Sequence, residues 1–97
     1  MASTILEILQ TRVQTLGNNI VKTESKISLI QEQLQQNQIH LTQAQQDGDL
    51  TLIRECLSKQ QILQEAIPPL QKTLANIQKS HRLFERQLQQ NSVALTK

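Results

Sequence analysis

The sequence has no tryptophan and no tyrosine, and Phe84 is its only aromatic residue. Any core must therefore be aliphatic, and there are no aromatic platforms on which nucleic-acid bases could stack. A single cysteine, Cys56, excludes an intrachain disulfide and fits a reducing compartment, with the cytoplasm as the default. The two glycines, Gly17 and Gly48, cannot make a glycine-rich phosphate loop. No stretch approaches the roughly 18 consecutive apolar residues of a transmembrane helix. A basic region followed by an apolar run and a cleavage site is also missing at the start, so no signal peptide is expected. The formal charge of +2 is too mild to imply a polyanionic partner by itself.

What the chain does have is glutamine, interrupted by leucine and isoleucine at helical spacing, as in Gln31-Glu32-Gln33-Leu34-Gln35-Gln36. Glutamine is a good helix former, so these runs read as polar helix faces. Thr4 with Glu7 three residues later makes a capping box. From there Leu6, Leu9, Val13, Leu16, Ile20, Thr23, Ile27, Ile30, Leu34, Asn37, Leu41 and Ala44 recur in alternating three- and four-residue steps. That is a heptad seam, with a at Leu6 and d at Leu9. Gly17-Asn18-Asn19 is its weakest helical stretch but leaves the phase unchanged, so one helix is expected.

Asp47-Gly48-Asp49 lies near the midpoint. Gly48 can adopt a left-handed backbone and stop a helix, and Asp49 can cap the next one. The seam then resumes through Ile53, Cys56, Gln60, Leu63, Ile67, Leu70, Leu74, Ile77, His81, Phe84, Leu88, Asn91 and Leu95. Only Pro68-Pro69 interrupts it, at outward-facing b and c positions and with no change of phase. A proline costs about 3 kcal/mol inside a helix, so a kink or a short break is expected there.

The fold expected is all-α: a single domain over residues 1–97 forming a long antiparallel helical hairpin, a coiled coil. Its parts are a helix over 4–46, a turn at 47–49, and a helix over 50–66 that continues or restarts over 68–96. Pairing a with d in an antiparallel register makes partner numbers add to about 97. Leu16 then shares a layer with His81, Val13 with Phe84, and Asn37 with Gln60. The last pair is a polar layer that could satisfy two buried amides and fix the register.

Further apolar side chains lie outside the seam: Ile5, Ile8, Val21, Leu29, Ile39, Leu50, Leu52, Leu57, Ile62 and Leu83. Position g of the second helix carries the small residues Ala66, Thr73, Ser80 and Ala94. Few charges at e and g discourage added helices. Two hairpins should therefore associate into a four-helix bundle, with Ala66, Thr73, Ser80, Leu50, Leu52 and Leu57 at the interface.

Charge separates along the chain. Glu32, Asp47, Asp49, Glu55 and Glu65 make the turn end acidic, whereas Lys72, Lys79, Arg82 and Arg86 are candidate contacts for an acidic partner or for phosphates. The simpler reading of that stripe is a solvated helix face. His81 has Glu85 one turn later, but His40 and Cys56 lie too far away to complete a metal site, so no metal or cofactor is expected. Cys56 reads as a small buried hydrophobe. Nothing pairs carboxylates or places a base beside a nucleophile, so no enzyme is expected and no small-molecule substrate. The function expected is a non-enzymatic assembly or adaptor protein acting through helix–helix contacts, with itself or another helical protein. The alternatives are a charge-steered regulator, associated with nucleic acid through the basic face, and a small helical chaperone for an export or structural partner.

Overall fold

The computed structural model describes the backbone of residues 2–96 and the side chains of residues 4–92. Two α-helices pack as a hairpin: α1 spans Ala2–Asp47 and α2 spans Leu50–Thr96. Helix α1 starts two residues before Thr4, which places Thr4 inside the first turn and not at the cap expected of it. Alanine has the highest helix propensity, so nothing at position 2 stops the helix from running back past Thr4. Gly17-Asn18-Asn19 is helical throughout.

The turn is built from a few hydrogen bonds. Gly48 has φ of 69°, the left-handed conformation that glycine adopts without a Cβ clash. Its N–H donates to the Gln45 carbonyl at 3.3 Å, and the Asp49 N–H donates to the Ala44 carbonyl at 3.0 Å. This pair of bonds closes the C-terminus of α1 as a Schellman motif. Asp49 then opens α2. Its Oδ1 accepts from the Leu52 N–H at 3.1 Å, and its carbonyl accepts from the Ile53 N–H at 2.9 Å. One residue thus ends one helix and caps the next, so the link can be short.

Helix α2 runs through Pro68-Pro69 without restarting. The prolines withhold the N–H bonds that the Gln64 and Glu65 carbonyls would otherwise accept. Both prolines and both acceptor residues are exposed, so water can take those carbonyls. A pair of prolines on the seam side would have left them buried and unsatisfied.

The chain divides into two compact units. Residues 25–72 hold the turn and the helical segments beside it; residues 1–24 and 73–97 form the other. In both, the seam is the core. Every seam residue from Leu6 to Asn91 is buried or half-buried, and Leu95 lies outside the described side chains. In the unit holding the turn, Ile27, Leu41, Ala44, Cys56 and Leu63 are buried, Ala44 fully. In the other, Leu9 and Thr23 are the buried members. The Thr23 hydroxyl donates to the Asn19 carbonyl at 2.8 Å, which satisfies a polar group at a seam position within its own helix. No large side chain among the described residues is fully buried.

Candidate functional site

The surface is where this chain can act, and its most unusual content is apolar. Ile5, Ile8, Val21, Leu29, Ile39, Leu50, Leu52, Leu57, Ile62 and Leu83 are all exposed, from 38% for Leu52 to 69% for Leu50. These are the same ten residues that the heptad pattern places off the seam. Of the small g positions, Ala66 and Ser80 are half-buried, Thr73 is exposed, and Ala94 lies outside the described side chains.

Asn37 is the most buried polar side chain in the unit holding the turn, at 3% exposure. Its Nδ2 donates to the backbone carbonyl of Cys56 at 2.7 Å, and not to the Gln60 amide expected as its partner. Cys56 lies one turn before Gln60, so its carbonyl points along the helix toward the same layer. An amide in the seam can reach that carbonyl directly, which leaves Gln60 half-buried and free to turn its own amide toward water. The Cys56 thiol itself is buried and unpaired with any disulfide partner.

In the other unit, His81 packs against Gly17. A Cβ built on Gly17 would stand 3.5 Å from His81 Nε2, an ordinary van der Waals contact, so the ring lies beside Gly17 and leaves room for a methyl group. On its other edge, His81 Nδ1 is 3.0 Å from Glu85 Oε1. Gly17 follows Leu16, the residue that the register expects to share a layer with His81. Nearby, the Arg12 guanidinium sits 5.3 Å from the centroid of Phe84. This cation–π contact was not apparent from the seam alone, which assigned Phe84 to Val13. A basic g residue next to an a position that faces the only aromatic was the available clue.

Lys72, Lys79, Arg82 and Arg86 are all exposed, and Lys72 belongs to the unit holding the turn. Lys79, Arg82, Leu83 and Arg86 line one open groove on the face of α2. Arg82 Nε donates to the Gln78 carbonyl at 3.4 Å. At the start of α2 and in the turn before it, Asp47, Asp49, Leu50, Arg54 and Glu55 are all exposed.

The chain matches no protein-family model, no curated protein and no solved structure. Its function must therefore be argued from these surfaces. Among the described residues, no group of three or more His, Cys, Asp and Glu side chains could hold a metal ion. No helix among them is long and apolar enough to cross a membrane.

Proposed function

We propose that this chain is a non-enzymatic assembly or adaptor module of the cytoplasm that works through helix–helix contacts, most simply as a homodimer forming a four-helix bundle. The observation that carries this reading is the set of ten exposed aliphatic side chains outside a seam that is already occupied. A paired seam leaves no intrachain place for them, and each square ångström of apolar surface kept in water forgoes about 25 cal/mol. The modest core adds to the case: with no large side chain among the described residues fully buried, association has stability to contribute. Ala66, Thr73 and Ser80 give a second helix room for close approach, and Leu50, Leu52 and Leu57 supply apolar contact. Pro68-Pro69 withhold two backbone hydrogen bonds inside α2 and so mark where that helix can yield on meeting a partner.

Sedimentation or light scattering of the full chain over micromolar concentrations tests this. A dimer or larger species is expected, weakened in the Ala66→Glu, Ser80→Glu variant. A monomer whose melting point is independent of concentration would refute it. The basic groove formed by Lys79, Arg82 and Arg86 supports a second reading, a charge-steered regulator that binds an acidic partner or nucleic acid, for which steep salt dependence is the mark. A helical chaperone for another protein would instead co-purify with one partner at fixed ratio.

A further inference from the structure

We propose that the groove lined by Lys79, Arg82, Leu83 and Arg86 is a docking site for the turn of a second copy of this chain, residues Asp47 to Glu55. This rests on the self-association reading above and specifies which surfaces meet.

The groove presents cations around one exposed leucine. Lys79, Arg82 and Arg86 follow one another at three- and four-residue steps and so share a helix face, with Leu83 at 51% exposure between them. The turn presents the complementary set. Asp47, Asp49 and Glu55 are exposed in the segment that holds Leu50, at 69% the most exposed large aliphatic residue among those described, and they outnumber its one exposed cation, Arg54. Leucine against leucine removes apolar surface that each copy leaves in water, and the flanking carboxylates meet guanidinium and ammonium groups.

Each half of the match is held in place by its own copy. The backbone bonds of Gly48 and Asp49 and the cap from Asp49 Oδ1 to Leu52 N–H fix the turn. The bond from Arg82 Nε to the Gln78 carbonyl orients Arg82. The turn backbone is thus ordered before binding, and the charges can act as steering and selection. Glu85 is the one acidic side chain within the span of the groove, and its carboxylate is engaged by His81.

Paired charge reversal in the full chain tests this. One variant carries Asp47→Lys and Glu55→Lys, leaving the Asp49 cap intact; the other carries Lys79→Glu and Arg86→Glu, leaving Arg82 and its bond intact. Helical circular dichroism reports folding, and sedimentation at low and high salt reports association. Each variant alone should self-associate about tenfold more weakly than the parent at low salt, with the difference shrinking as salt rises. Mixing the two should restore association between unlike chains, as should combining all four changes in one chain. Association of both variants at the parental level would overturn the proposal while leaving self-association through the apolar faces standing. Weakened variants that neither mixing nor combination rescues would also overturn it. A parent chain that stays monomeric at every concentration would remove the self-association reading as well.

Discussion

The two glycines should respond to alanine with opposite signs. Gly17 lies in the interior of α1 with an ordinary helical backbone, and an added Cβ would meet only His81, at 3.5 Å to Nε2 and 3.9 Å to Cδ2. Those are van der Waals distances, so the steric cost is close to nil. Alanine is favoured over glycine in a helix interior by about 0.8–1 kcal/mol, much of it through the lower entropy of the unfolded chain. The opposing effect is loss of water at His81 Nε2. The ring also borders an open groove with Ile20, Gln78 and Arg82, so water keeps another approach. The net expectation for Gly17→Ala is a gain of about 0.5–1 kcal/mol. At about 4–8 °C per kcal/mol for a domain of this size, that is a rise in Tm of several degrees. Gly48→Ala meets no neighbour but must hold φ at 69°, and it should lose about 1–2 kcal/mol. Thermal and urea unfolding, followed by helical circular dichroism at one fixed protein concentration, measures both. Destabilisation by Gly17→Ala would mean that His81 needs the glycine backbone itself, and the reasoning would fail.

Because the Asn37 amide bonds to a backbone carbonyl, Asn37→Leu and Gln60→Leu should change stability additively, within about 0.5 kcal/mol. A coupling above about 1 kcal/mol in that double-mutant cycle would show that the two amides do meet. Cysteines placed at Leu16 and His81, with Cys56→Ala, should be joined within one chain by a short bifunctional thiol reagent. Preferential joining of position 16 to one near Ile53 would rule out the hairpin. The Cys56 thiol is buried, so its labelling should be slow and should accelerate with urea in step with unfolding; labelling at the rate of a free thiol in native buffer would show that the seam there is open.

The heptad seam was legible because burial in a two-helix pair follows a single periodicity. Each a and d residue that the structure describes is at least half-buried, and the ten aliphatic residues off that period are exposed. The turn was legible for a similar reason: few residues other than glycine hold a left-handed φ, and an aspartate beside it has a capping geometry ready. Partners within a layer were harder to read. A sequence pattern places Asn37 at a level along the hairpin but does not say whether its amide takes a side chain or a carbonyl. The carbonyl won because it is already held in place by the helix, whereas Gln60 would lose rotamer freedom to pair. The Arg12–Phe84 contact was missed for a related reason, since a long g side chain can fold over the seam as readily as extend into water. Thr4 was misplaced as a cap because helix ends are decided by small differences in propensity.

These local solutions bear on what sets the register. The Thr23 hydroxyl and the Asn91 amide each donate to a carbonyl four residues back in their own helix, at 2.8 Å. Such bonds would survive a slip of one helix along the other by a whole heptad. Asn37 does cross between helices, but it takes a backbone carbonyl, and a helix offers an equivalent carbonyl one heptad away. Thr23, Asn37 and Asn91 therefore do not distinguish the observed register from its slipped neighbours. The turn does. With Gly48 ending α1 and Asp49 already capping α2, there is no slack, and a heptad slip would require unwinding about two turns of helix. Each residue unwound forfeits a backbone hydrogen bond and seam burial.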